Sequence, residues 1–191
     1  MSNRMIRALL AVLLLASFAV AQDKPKNDEP QAAMAPSTAL GAKADPNDVN
    51  SIDAIITALY DVISGPPGER NWPRFNSLFT EHAVLATVGK KDGKARHEIM
   101  TPDGYIRLAG PYFLKEGFFE RESARKLQTF GNIAHLFSTY ESRHTRDADP
   151  FARGINSIQL LNDGQRWWVL SILRDEEGPG NQIPAEYQPK K

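Results

Sequence analysis

The chain has 191 residues, 41% hydrophobic and 24% charged, with 23 basic against 23 acidic side chains and no cysteine. This balance gives none of the concentrated positive face that nucleic-acid or anionic-membrane binding requires, and without cysteine there is no disulfide framework, thiol nucleophile or lipid-modified thiol. Stability has to come from packing, and a folded part of roughly 140 residues buries about two-thirds of its chain surface, which suffices.

At the N-terminus Arg4 and Arg7 precede an apolar run from Ala8 to Val20 and the small-residue stretch Ala19-Val20-Ala21. The run is shorter than the roughly 20 residues that cross a bilayer core, so it predicts a signal peptide over residues 1–21 rather than an anchor. The protein is expected to be exported, to the periplasm or the exterior, after cleavage near Ala21, with no stable membrane anchor. Residues 22–47 are rich in Lys, Pro, Asp, Ala and Ser and show little apolar periodicity, which predicts a disordered tether. One domain is expected over residues 48–188.

Ile52, Ile55, Ile56, Leu59, Tyr60 and Ile63 recur at helical spacing behind Asp48 or Asn50 as the cap, and Gly65-Pro66-Pro67-Gly68 ends that helix. A shorter helix is expected from Asn71, with Pro73 in its first turn. Ala83 to Val88 is β-prone, and Asp92-Gly93 carries a hairpin signature. Thr101-Pro102 opens a third helix toward Pro111. Strands are expected over Phe118–Leu127, Asn132–Arg143, Arg153–Leu161 and Arg166–Arg174, and a loop from Glu176 onward.

Helices early and strands late predict an α+β fold with about three N-terminal helices on one face of an antiparallel sheet. Ala134, Leu136, Ser138 and Tyr140 alternate with His135, Phe137, Thr139, Glu141 and Arg143, while Trp167, Val169, Ser171 and Leu173 oppose Trp168, Leu170 and Ile172. Both faces are apolar near the sheet centre, where a watery face would be polar, so a homodimer through the face opposite the helices is expected.

The segments Leu59–Pro66, Trp72–Phe79, Gly131–Glu141, Arg153–Leu160 and Arg166–Val169, in this order of helices, hairpin and long strands, resemble the nuclear transport factor 2-like superfamily, with its SnoaL-like cyclases and ketosteroid isomerases. They are similar to an exported bacterial subgroup of it. The resemblance spans about residues 50–176 and implies a cone: a strongly curved sheet around its helices, with an internal pocket at the wide end and dimers formed through the sheet. The isomerases' aspartate base and tyrosine-containing oxyanion site find no matching positions here, and the superfamily mixes enzymes with binding modules.

Three residues carry candidate acid–base chemistry. His135 either moves a proton, as histidines are suited to do, or is hydrogen-bonded to structure. Glu120 and Glu122, two apart on a strand, share one side, where paired carboxyls divide acid and base roles or simply form ion pairs. Tyr60, Trp72, Tyr105 and Trp168 either stack on a flat organic ligand or pack the core, and Asn156 either orients that ligand or satisfies local backbone. No nucleophile elbow, phosphate loop, zinc spacing or calcium loop is present, so no metal and no cofactor are expected. The leading expectation is an apolar internal pocket of several hundred Å³ for a small organic molecule, on the usual scale of about 300–1,000 Å³. An isomerase- or cyclase-type enzyme using the same pocket and a non-catalytic dimeric accessory module stand as the alternatives.

Overall fold

The computed structural model describes residues 43–91 and 94–190. The expected signal peptide with its cleavage near Ala21, most of the tether and the Asp92-Gly93 turn lie outside the described residues.

A single turn, α1 (Pro46–Val49), leads into α2 (Ile52–Ile63). Ser51, not Asp48 or Asn50, caps α2, its side chain accepting from the Ala54 N–H at 3.1 Å. Asp48 is bound elsewhere: its two carboxylate oxygens accept from Arg74 at 2.8 and 2.9 Å. Asn71 caps α3 (Trp72–Ser77), and Thr101 caps α4 (Pro102–Phe113). Helix α4 runs through Pro111, at the cost of the one backbone bond that its missing N–H would have made to the preceding turn.

Six strands form one sheet: β1 (Phe79–Lys91), β2 (Lys94–Met100), β3 (Phe119–Phe130), β4 (Ile133–Arg143), β5 (Ala152–Asn162) and β6 (Trp167–Glu176). Their order is β2-β1-β6-β5-β4-β3. The sheet is curved, unclosed and mixed. All neighbours are antiparallel except β1 and β6, which run parallel. No hairpin can join that pair, because β1 precedes and β6 ends the strand series, so their relative direction is free of the hairpin rule. The α+β architecture expected from the sequence stands, with this one parallel seam inside the sheet.

The core lies between α2 and the sheet. Ile55 and Ile56 meet a fully buried wall of Leu136, Ile158 and Val169, joined by Phe75 and Phe79. The residues of β4 alternate as expected: Ala134, Leu136, Ser138 and Tyr140 face the helices, opposite Leu160, Ile158, Asn156 and Gly154 of β5. In β6 the expected alternation fails. Gln159 pairs with Ser171 and Leu160 with Val169, so Leu170 is an extra residue that turns the strand. Val169 and Ile172 therefore share the inner face, and Arg174 follows them inward.

The tail is mostly loop, as expected, but it does structural work. Ile183 is buried, and the Tyr187 ring lies 5.3 Å from Phe137. The Thr139 hydroxyl donates to the Tyr187 carbonyl at 2.5 Å. Part of the apolar outer face that suggested a second copy is thus covered by this chain itself.

Candidate functional site

The interior of the cone holds a cavity of about 100 Å³ between α2, α4 and the inner sheet face. It is smaller than expected, because Tyr60, Phe75, Phe79 and Tyr105 project into it. Phe75 stacks on Tyr105 at 5.3 Å and meets Phe79 at 4.8 Å, which makes one wall aromatic. Leu59, Ile63, Leu85 and Ile172 make the remainder apolar, and Glu120, Asn156 and Arg174 supply polar groups. The volume exceeds the roughly 10–15 Å³ that one water needs and falls below the scale of drug-sized ligands, so it suits a small organic molecule.

Two open grooves share lining residues with this cavity. One, about 510 Å³ between α2 and the start of β3, shares Tyr60 and Glu120 with it. The other, about 990 Å³ between the β1–β2 edge and the end of β6, shares Thr87 and Arg174. Glu120 and Arg174 therefore border both the interior and an outer groove.

Glu120 is positioned through its backbone. The Ser64 hydroxyl, just past α2, accepts from the Glu120 N–H at 2.9 Å and donates to the Tyr60 carbonyl at 2.7 Å. Gly65 and Phe118 exchange a pair of backbone bonds at 2.7 and 3.0 Å beside it. The loop supplying these anchors is held by Arg70, whose guanidinium donates to the carbonyls of Ile63, Gly65, Pro66 and Gly68 at 2.8–3.0 Å. The Glu120 carboxylate accepts from the Ser142 hydroxyl at 2.7 Å through Oε2. Burial pushes this carboxyl above its ordinary range, while the Ser142 bond and the Arg174 charge pull it back. Such a group exchanges a proton nearer neutrality than a surface glutamate does.

Glu122 shares the inner side of β3, as its spacing predicts, but is fully engaged. Its Oε2 accepts twice from Arg125, at 2.5 and 2.8 Å, and its Oε1 accepts from Ser138 at 2.5 Å. That assignment orders a whole chain of bonds. Because Ser138 spends its proton on Glu122, Tyr60 donates to Ser138 at 2.7 Å and accepts from Asn156 at 3.1 Å. The Tyr60 hydroxyl is therefore committed to structure, and its ring alone faces the cavity. Burial raises the pKa of Tyr60 and of Tyr105, with the Glu120 charge adding to both. Tyr105 has no hydrogen-bond partner among the described residues, so its hydroxyl remains free for a guest.

Arg174 is a site residue that strand alternation conceals. Its Nε donates to the Tyr140 hydroxyl at 2.9 Å and its guanidinium lies 5.1 Å from the Tyr140 ring. A further bond of 3.2 Å reaches Glu176, a half-exposed carboxylate on the groove side. Burial pushes the Tyr140 phenol up to about 12, with Arg174 opposing. Burial disfavours the Arg174 charge, but the Tyr140, Glu120 and Glu176 oxygens outweigh it and hold the group cationic. Only the bulge at Leu170 shows that Arg174 points inward. The available signal was a cation ending an apolar strand.

Other expected site residues lie elsewhere. His135 is on the outer face, directly opposite Gln159, to whose side-chain amide it is hydrogen-bonded, and 5.3 Å from Phe137. It cannot reach the cavity, because the sheet itself intervenes. Trp168, which precedes the β6 bulge, also faces outward, by plain alternation with the inward Val169. Its Nε1 donates to Asp163 at 2.8 Å, and Arg166 covers its ring at 3.5 Å. Trp72, at the start of α3, packs on α4, stacked 6.1 Å from Phe113 and edge-on to Phe75 at 5.8 Å, where it closes the core without lining the cavity. Tyr60, Tyr105, Asn156 and Glu120 do converge. Among the described residues no group of three or more His, Asp or Glu side chains is arranged to hold a metal ion. No helix among them is long and apolar enough to cross a membrane.

No family model matches the chain, and no curated protein matches it. Solved structures do share its architecture. One is the beta subunit of a proposed aromatic-ring-hydroxylating dioxygenase from Novosphingobium aromaticivorans, with TM-score 0.53 and 10% identity over 73% of this chain and 94% of that one. A protein of unknown function with a cystatin-like fold from Nostoc punctiforme gives 0.51 and 8%, over 66% of this chain and 88% of that one. A proposed dehydratase of the nuclear transport factor 2-like family from Streptomyces avermitilis gives 0.50 and 11%, over 69% and 97%. Identities this low speak for the fold alone.

Proposed function

Starting from its nuclear transport factor 2-like fold, we propose that this chain is an exported small-molecule-binding domain whose ligand sits in the interior cavity. One observation supports this reading above the others. An apolar cavity contains a free tyrosine hydroxyl at Tyr105, a half-buried carboxyl at Glu120 with one side-chain hydrogen bond, and a fixed cation at Arg174. An interior built only for stability leaves no such groups around a void.

The ligand is small, because the volume admits nothing larger. Its body lies against Phe75, Phe79 and Ile172, and its polar end meets Tyr105, Glu120 and Arg174. Binding is tested by titrating small aromatic compounds against the wild type and Thr87→Trp, followed by ligand-observed NMR. Thr87 is an exposed residue at the cavity mouth, so the bulky side chain blocks entry without disturbing the core. Equal saturation transfer in both proteins would refute the proposed location.

A second reading, general acid–base catalysis in the same cavity, is favoured by one observation: the raised carboxyl of Glu120 beside the free hydroxyl of Tyr105. A proposed dehydratase is among the proteins of this architecture. Glu120→Gln separates the two readings, since a binding module keeps its ligand and an enzyme loses turnover.

Export rests on the residues before Ala21. N-terminal sequencing of protein recovered from its own host tests it, with a mature N-terminus at Gln22 expected. Self-association is proposed through the outer-face area that the tail leaves open, around the half-exposed Leu173. Sedimentation of Leu173→Asp as a monomer, against a wild-type dimer, is the expected result.

A further inference from the structure

We propose that the cavity is selective for small monocarboxylates, bound with the carboxylate at Arg174 in the mouth and the apolar body directed inward. This rests on the cavity reading above and names its ligand class.

The argument begins with orientation. Arg174 lines both the cavity and the groove outside it, and its side chain is 37% exposed. A charged head placed there keeps part of its hydration, while an apolar body behind it replaces water against Phe75, Phe79 and Ile172. The reverse orientation would bury the charge among apolar side chains.

Geometry then selects the sign of that charge. Arg174 is fixed by Nε on the Tyr140 hydroxyl, which leaves the outer part of the guanidinium for another oxygen. Its carboxylate neighbour, Glu176, is 54% exposed at 3.2 Å, an arrangement that holds little energy in water. An entering carboxylate replaces that loose partner with a more sheltered one and is within the planar fork's preferred chemistry. Glu120 opposes it less than an ordinary carboxylate would, because burial shifts that carboxyl toward its neutral form. A cationic ligand would instead meet Arg174 at the entrance.

The test compares benzoate, benzamide and benzylamine, which share one ring and differ in head-group charge, by calorimetry or NMR titration at neutral pH. Benzoate is expected to bind about tenfold more tightly than benzamide, the size of one charge-assisted bond, with benzylamine weakest. Arg174→Gln should bring the benzoate-to-benzamide ratio to about one. Glu176→Gln, at an exposed position with no folding hazard, should widen it by removing the competing carboxylate. Benzamide binding as tightly as benzoate overturns the carboxylate assignment and leaves the cavity reading standing. So does a ratio that survives Arg174→Gln or that Glu176→Gln fails to widen. If none of the three compounds binds, the cavity reading falls as well.

Discussion

Arg70→Met should remove more stability than any surface change of equal size, and the structure sets the amount. Arg70 is buried and makes four bonds, to the carbonyls of Ile63, Gly65, Pro66 and Gly68, with its guanidinium 4.9 Å from the Phe113 ring. The bonds to Ile63 and Gly65 are buried, and those to Pro66 and Gly68 are part-buried. Each buried carbonyl left without a donor costs about 1–3 kcal/mol, whereas the part-buried pair recovers water. Two such carbonyls give about 4 kcal/mol. Removing a buried cation that has no carboxylate partner returns about 1 kcal/mol. A net loss of about 3 kcal/mol follows, or about 9 °C in Tm at roughly 3 °C per kcal/mol for a domain this large. Urea denaturation followed by tryptophan fluorescence measures it, with the slope m unchanged. Arg70→Lys should recover only part of the loss, because an ammonium cannot span four carbonyls that a planar fork reaches. Since this loop also carries Ser64, ligand affinity should fall with stability. A variant within about 1 kcal/mol of wild type would refute the reasoning and mean that water replaces the guanidinium.

Three other outcomes are expected. Glu120 has a raised folded-state pKa, so its contribution to stability is fully present below the unfolded value and is lost as pH rises through the folded one. Glu120→Gln should therefore match wild type in acid and exceed it increasingly as pH rises, which denaturation midpoints across pH would check. Gly154→Ala should cost about 2–3 kcal/mol, because a Cβ there would press on the Asp175 backbone carbonyl and lie 2.5 Å from the Tyr140 hydroxyl and 2.7 Å from its ring, and displacing that ring also loosens Arg174. Its benzoate affinity should fall in parallel. Deleting residues 182–191 should cost about 2 kcal/mol, the burial of one isoleucine and part of a tyrosine, and expose Phe137. Unchanged thermal unfolding would show that the tail is not part of the fold.

The helices and strands were legible because their signals are local. Ile52, Ile55, Ile56 and Leu59 at helical spacing, Asn71 as a helix start, Thr101 as a cap, and the alternation of β4 each depend on residues a turn or two apart. The shared side of Glu120 and Glu122 was legible for the same reason, since the bulge in β3 comes only after them. The parity of β6 was not, because one extra residue at Leu170 reverses every assignment beyond it. That single bulge separates the expected site residue Trp168, which faces outward, from Arg174, which faces in.

Amino-acid order alone thus determined that apolar faces exist, where most of the elements lie, and that packing replaces disulfides. Only the tertiary arrangement decided which polar groups are spent and which are free. Tyr60 and Tyr105 are alike as sequence, but Ser138 and Asn156 occupy the first and leave the second open to the cavity. Hydrogen bonds between residues 78 and 96 positions apart set that difference, and no local pattern encodes such a distance.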